Sequence, residues 1–189
     1  MKLSNNYFIL RHGEAVSNQK EFCSSWPEKF KNPIIKKGKK QIQKIISRLK
    51  KDKIDLIFSS DVLRCKETAQ MIAKELDLKI NFDKRIREID MGILNGKSIK
   101  KWNDYFKNRA EKFTKRAPGA ENRRDIKKRL MDFIKDINKK YKNKNILIVS
   151  HEDILIILQG AVKGFSEKEM IRDKWEKLRI NTGEYRRLI

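Results

Sequence analysis

The apolar residues of this chain fall into short blocks separated by long polar, mostly basic stretches. Tyr7-Phe8-Ile9-Leu10 is a compact β-type run that stops abruptly at Arg11-His12-Gly13-Glu14. A different period follows. Between Ile35 and Lys51, the residues Ile42, Ile45, Ile46 and Leu49 recur at offsets 0, 3, 4 and 7, which predicts one face of a helix. Ile54 to Phe58 is a second apolar run, closed by Ser59-Ser60-Asp61, and either Ser60 or Asp61 has the chemistry to cap the next helix. That helix places Val62, Cys65, Ala69, Ile72, Ala73 and Leu76 on one face. Leu78 to Phe82 alternates as a half-buried strand. Ile126, Leu130, Phe133, Ile134, Ile137 and Tyr141 mark a long amphipathic helix with a basic outer face. Ile146-Leu147-Ile148-Val149 is the most β-like run of all, continuous as suits a strand covered on both faces, and it stops at Ser150-His151. Ser166-Glu167-Lys168-Glu169 matches a capping box opening a helix toward Leu178, and Tyr185 to Ile189 reads as a final edge strand.

Strands alternating with helices predict an α/β fold with helices on both faces of the sheet. No repeat or linker divides the chain, so residues 1–189 are expected to form one domain. The least periodic region, Ser17 to Pro33, is expected to be a loop. Residues 98–119 read as a short helical insertion carrying Trp102, Tyr105, Phe106 and Phe113.

Composition narrows the class. Among 189 residues, 47 are Lys or Arg and 25 are Asp or Glu, a formal net charge of +22. Despite 38% charged residues, the clustering of the apolar ones argues against disorder. Two cysteines, Cys23 and Cys65, are too few for a disulfide scaffold or, alone, a zinc site. The longest apolar stretch, Ile154 to Val162, is too short to span a membrane and contains Gln159 and Gly160. Met1-Lys2-Leu3-Ser4-Asn5-Asn6 lacks a signal-peptide pattern, so a cytoplasmic location is expected. The charge makes nucleic acid a candidate partner, but Lys and Arg are spread from Lys2 to Arg187 without forming an arm or patch. A solvated lysine-rich surface is the favoured reading, and its field still draws anions inward.

The chain's two histidines, His12 and His151, each follow an apolar run at its C-terminal side, the edge where open α/β sheets bind ligands. Arg11 precedes His12, and Arg64 sits in the first turn of the helix after the Ile54–Phe58 run, where free N–H groups face an anion. Should the three strand ends lie side by side, two guanidiniums and two imidazoles converge. Guanidinium forks suit phosphate oxygens, and neighbouring positive charge biases an imidazole toward its neutral, nucleophilic form. No residues stand at metal-ligand spacing, so phosphoryl chemistry here would rely on protein groups for charge neutralisation. Taken singly, Arg64 could equally be a helix-surface partner of Glu67 or Asp61, and Glu88 of Arg85 or Arg87.

Leu10-Arg11-His12-Gly13-Glu14 with Asn18 resembles the N-terminal motif of the histidine phosphatase superfamily, the phosphoglycerate mutase-like family. The resemblance continues in order through Lys37-Gly38-Lys39-Lys40-Gln41, Ser59-Ser60-Asp61-Val62-Leu63-Arg64 with Thr68-Ala69, Arg87-Glu88-Ile89-Asp90-Met91-Gly92 with Asn95-Gly96, Pro118-Gly119-Ala120-Glu121 with Arg129, and Ser150-His151. It implies a three-layer α/β/α sandwich with a mostly parallel central sheet. It further implies that His12 becomes phosphohistidine, that Arg11, Asn18, Arg64 and His151 hold the phosphoryl oxygens, and that Glu88 protonates the leaving oxygen and then activates water. Two positions depart from the pattern: Ala15 where Thr is common, and Glu152 where Gly commonly follows the second histidine.

The expected activity is metal-independent hydrolysis of phosphate monoesters, with no cofactor and a small phosphorylated metabolite as substrate, by a monomer or homodimer. Mutase-type transfer is the alternative, disfavoured because the stretch from Gly92 to Ser150 is short for a lid that excludes water. A weakly active basic protein that binds nucleic acid or an acidic protein is the other. Helical spacing assigns Phe106 and Phe113 to packing, whereas Trp102 stands as a candidate substrate lid.

Overall fold

The computed structural model describes residues 3–188. Five strands, β1 (Asn6–Arg11), β2 (Leu56–Ser59), β3 (Ile80–Phe82), β4 (Asn145–Ser150) and β5 (Tyr185–Arg187), form one sheet in the order β3-β2-β4-β1-β5. β1, β2, β3 and β4 run parallel to one another, and β5 lies antiparallel on β1. The helices are α1 (Val16–Lys20), α2 (Lys36–Lys51), α3 (Leu63–Leu76), α4 (Ile99–Asp104), α5 (Glu111–Thr114), α6 (Arg123–Lys140) and α7 (Glu152–Val162). A last helical stretch passes through Glu167–Glu169, a π-helical turn Met170–Lys174 and Trp175–Lys177. The expected α/β architecture, a mostly parallel sheet flanked by helices, is the one observed.

Period two along the central strands feeds two cores. Tyr7, Ile9, Ile146 and Ile148 point into the core completed by α6 and α7, whereas Phe8, Leu10, Leu147 and Val149 enter the one completed by α2 and α3. Ile146 through Val149 are all 0% exposed, and each such side chain contributes about 1.5–3 kcal/mol. The helical stripes Ile42, Ile45, Ile46, Leu49 and Ile126, Leu130, Phe133, Ile134, Ile137 are buried as their spacing requires. A close backbone approach fixes the loop after β1: a Cβ on Gly13 would stand 2.8 Å from the Gly38 carbonyl oxygen in α2.

Boundaries differ locally. Ile35 is the N-cap of α2 rather than its first turn, β3 begins only at Ile80, and α1 opens the expected Ser17–Pro33 loop. Neither Ser60 nor Asp61 caps α3. Val62 occupies the N-cap position without a side-chain cap, because Glu28 Oε2 accepts the Leu63 N–H at 3.2 Å and Asp61 is drawn to Arg87. The Leu63 N–H is therefore taken rather than free for an anion. The Ser166 capping box forms in both directions, Ser166 N–H to Glu169 Oε2 and Glu169 N–H to Ser166 Oγ. Residues 98–119 contain α4 and α5. Met1, Lys2 and Ile189 lie outside the described residues; they include the start of the Met1–Asn6 segment read as lacking a signal-peptide pattern and the last residue of the expected edge strand. Among the described residues, no helix is long and apolar enough to cross a membrane.

Candidate active site

β2, β4 and β1 are neighbours, so their C-terminal ends bring Ser59-Ser60, Ser150-His151 and Arg11-His12 together. Polar residues after an apolar strand end up at the sheet's edge because they cannot continue between the helix layers. The His12 and His151 rings meet edge-on, 5.3 Å between centroids, at 2% and 0% exposure. Arg64, in the first turn of α3, reaches the same spot at 2% exposure.

The hydrogen bonds of His12 fix its tautomer. Nδ1 lies 2.8 Å from the Gly13 carbonyl oxygen, which can only accept, so Nδ1 carries the proton. Nε2 accepts from Arg64 Nε at 3.1 Å and therefore presents a lone pair. Burial first, then Arg64 and Arg11, hold its pKa well below the ordinary value, against the pull of the Gly13 carbonyl. His151 is likewise held neutral by burial and then by Arg64. Its Nε2 lies 3.0 Å from Ser60 Oγ and its Nδ1 3.7 Å from Glu88 Oε2.

Arg64 is held on several sides. Nη2 donates to the Ser24 carbonyl at 3.0 Å and Nη1 to Ser24 Oγ at 3.3 Å, with Glu28 Oε1 at 3.6 Å and Glu88 Oε2 at 3.5 Å. Its partners are thus neither Glu67, which accepts the Ile34 N–H, nor Asp61. Glu88 in turn avoids Arg85 and Arg87, which pair with Asp83 and Asp61. Burial dominates its chemistry: the carboxyl is pushed up to about 7 because the Arg64 contact is too long to offset desolvation.

Arg11 donates through Nη1 to the Ile180 carbonyl at 3.0 Å and pairs with Glu152 Oε2 at 2.5 Å, while its buried Nε has no partner. Glu152, the departure after the second histidine, is accommodated because Arg11 and Arg179 neutralise it. Asn18 Oδ1 accepts the Ala15 N–H at 3.0 Å, leaving the amide nitrogen as a donor. A cavity of about 370 Å³ is lined by Arg11, His12, Asn18, Arg64, Glu88 and Trp102, among others, with His151 fully buried behind that wall. Trp102 is only 6% exposed and packs edge-on against Phe106, so it serves the core as well as the cavity. Phe106 and Phe113 are also 6% exposed, consistent with packing. Cys65 lies 3.4 Å from His151 Nε2, and burial raises its thiol far above reactive range. Among the described residues, no group of three or more His, Cys, Asp or Glu side chains is arranged to hold a metal ion.

Three contributors were not evident from sequence: Ser24, Glu28 and Ser60 as the supports of Arg64 and His151. Ser24 and Glu28 lie in the aperiodic stretch before Pro33, where no period signals a role.

A neutral imidazole presenting its lone pair beside two guanidiniums and a carboxyl whose pKa is raised to about 7 is an arrangement suited to phosphoryl transfer supported by protein groups. A family profile for the histidine phosphatase superfamily, branch 1, matches residues 7–187, and the chain belongs to that family. A curated relative, the "Probable phosphoglycerate mutase GpmB" of Salmonella choleraesuis (strain SC-B67), is 28% identical over 164 residues, covering 83% of this chain and 74% of that one. The fold is shared with mycobacterial glucosyl-3-phosphoglycerate phosphatase Rv2419c in complex with VO3, at TM-score 0.81, 19% identity and coverage of 95% and 90%. It is also shared with the alpha-ribazole phosphatase of Shigella flexneri, at TM-score 0.80, 20% identity and coverage of 95% and 88%.

Proposed function

We propose that the protein is a phosphatase that hydrolyses small phosphate monoesters through a phosphohistidine on His12. The observation that carries this reading is the His12 tautomer, with Nδ1–H given to Gly13 and the Nε2 lone pair facing Arg64. As an ester docks, its phosphoryl oxygens take the donors of Arg11, Arg64 and Asn18, with His151 supplying a further one. Nε2 attacks phosphorus, the ester P–O bond breaks, and the neutral Glu88 carboxyl gives its proton to the leaving oxygen. Glu88, now a carboxylate, takes a proton from water as the water oxygen attacks phosphorus. The N–P bond then breaks and returns the lone pair to Nε2. No cofactor is required, since each proton and charge has a protein group assigned to it.

Transfer back to an acceptor other than water is the second reading, supported by the relative described as a mutase. The short 98–119 segment favours hydrolysis, because α4 and α5 together supply little to exclude water. The test is a phosphate-ester panel run in chelator with wild type and His12→Ala, with inorganic phosphate and transfer products both measured. Metal-independent phosphate release lost in the variant is expected. Activity that vanishes with chelator, or that survives in His12→Ala, overturns the reading.

A further inference from the structure

Lys and Arg run the length of the chain, but Asp and Glu do not accompany them evenly. Residues 29–51 hold ten Lys or Arg and no Asp or Glu, where the whole chain of 189 residues has a net charge of +22. Most of that run is α2, and the helix sorts it. Ile42, Ile45, Ile46 and Leu49 are buried in the core shared with α3, so the cations all face outward and are exposed. Lys36, Lys40, Lys44 and Arg48 follow one another a turn apart, about 6 Å per step along the axis. Lys36, Lys39, Lys40, Lys44, Arg48 and Lys51 form no ion pair among the described residues. Lys37 and Lys50 pair with Glu14 at 2.7 Å and Glu75 at 3.4 Å. Other carboxylates bordering α2 are engaged elsewhere, Glu67 with the Ile34 N–H and Asp52 with the Tyr185 hydroxyl. The long basic helix α6 differs, since Asp125, Asp132 and Asp136 interrupt its cations.

Like charges one turn apart repel and weaken the helix that carries them, and a linear anion laid along the row relieves that repulsion. The same run holds a second feature. Phe30 is 56% exposed between the exposed Lys29 and Lys31, and Phe22 meets its ring edge-on at 5.7 Å between centroids. An exposed aromatic beside unpaired cations suits a polymer that offers bases to stack and phosphates to neutralise. A bilayer is served differently, because a basic helix enters it through an apolar side, and that side of α2 is closed within the core. None of the cations of residues 29–51 lines the active-site cavity. We propose that the outer face of α2, with Phe30 ahead of it, is a binding surface for single-stranded nucleic acid. The lysines and Arg48 of α2 neutralise successive phosphates, and Phe30 stacks on a base. This surface is separate from the catalytic site and does not depend on the phosphatase reading.

The test is fluorescence anisotropy of an end-labelled oligouridylate titrated with the full chain across a salt series. Wild type should bind with a slope of log affinity against log salt near about −3, the value for four phosphates on a single strand. Replacing Lys36, Lys40, Lys44 and Lys51 together by Gln should weaken binding by about tenfold or more and bring the slope toward zero. A matched set on α6, with Lys127, Lys128, Lys135 and Lys139 replaced by Gln, removes the same charge and should change affinity by less than about threefold. Phe30→Ala should weaken binding by about fivefold or more and leave the slope as it is. Equal losses in the two lysine sets would reduce the effect to net charge and overturn the proposal. So would a wild type that does not bind at low salt, or that binds a duplex or phosphatidylserine vesicles as tightly as the single strand. Wild type alone supplies a second measurement, photo-cross-linking to a 4-thiouridine oligonucleotide followed by peptide mapping. Cross-links within residues 29–51 are expected, and cross-links confined to other segments overturn the assignment.

Discussion

At the inner end of the cavity, His12, Arg64 and His151 come from adjacent strand ends and the helix turn beside them, each nearly or fully buried. At the mouth, Trp102, Lys112, Arg123 and Trp175 come from α4, α5, the start of α6 and the last helical stretch. The inner group is tied by reciprocal bonds such as Arg64 to His12, Ser24, Glu28 and Glu88. The outer group is held chiefly by aromatic stacking, with polar donors left over. Groups that hold reacting atoms are best placed on rigid elements, whereas groups that contact the rest of a substrate are often carried on loops and short segments. The proposed chemistry and the walls that would face the rest of a substrate thus lie on different elements around one cavity.

The largest effects are expected at the inner end. Glu88→Gln should lower kcat by about 10²–10⁴-fold for esters with poor leaving groups, and by less for aryl esters. Glu88 acts first as an acid, so wild-type kcat/KM should decline as pH rises through about 7, and the variant should lose that limb. Stability carries the same sign. The folded carboxyl binds its proton more tightly than the unfolded one, with its pKa raised from 4.5 to about 7, so burial of the ionised form costs stability above that window and not below it. Glu88→Gln should therefore gain in Tm relative to wild type near about pH 8 and not near about pH 4. Equal shifts at both would contradict the burial argument. Arg64→Met should reduce kcat/KM by about 10²–10³-fold and destabilise by about 3–5 kcal/mol, because Glu28 and Glu88 lose their shared cation. Arg64→Lys should not restore activity, since an ammonium cannot span His12, Ser24 and Glu28 together.

Toward the mouth, the effects shrink and change kind. Trp102→Ala should redistribute KM among substrates and lower stability by about 3 kcal/mol, as Trp102 is both wall and core. An unchanged substrate profile removes it from recognition. Glu152→Gly should tighten inhibition by inorganic phosphate by at most about fivefold, because the carboxylate paired with Arg11 competes with the ligand anion. Weaker inhibition would show that Glu152 instead orients Arg11 for binding.

The inner end was the legible one. An apolar run that stops at a histidine or arginine is a local pattern, and the parallel sheet turns several such stops into one place. The family motifs then assigned Glu88, whose neighbours Arg85 and Arg87 otherwise offered a plain surface role. The supports of Arg64 were not legible, because Ser24 and Glu28 act through a loop with no period, and the same carboxylate of Glu28 displaced the expected cap of α3. Arg123 and Lys112 were hidden for another reason. Among 47 basic residues, nothing in their sequence setting separates a cation buried on a tryptophan from one on a solvated helix face. Charge also concealed the fate of Glu152, whose fit depends on Arg179, 27 positions along the chain.

The central claim is that His12 Nε2 is the atom that accepts the phosphoryl group. Rapid quenching of the enzyme with a ³²P-labelled ester, followed by peptide mapping, tests it directly. An acid-labile, base-stable label on the peptide containing His12, formed and lost at rates compatible with turnover, is expected. Steady turnover with no such label, or with the label on another residue, would contradict it.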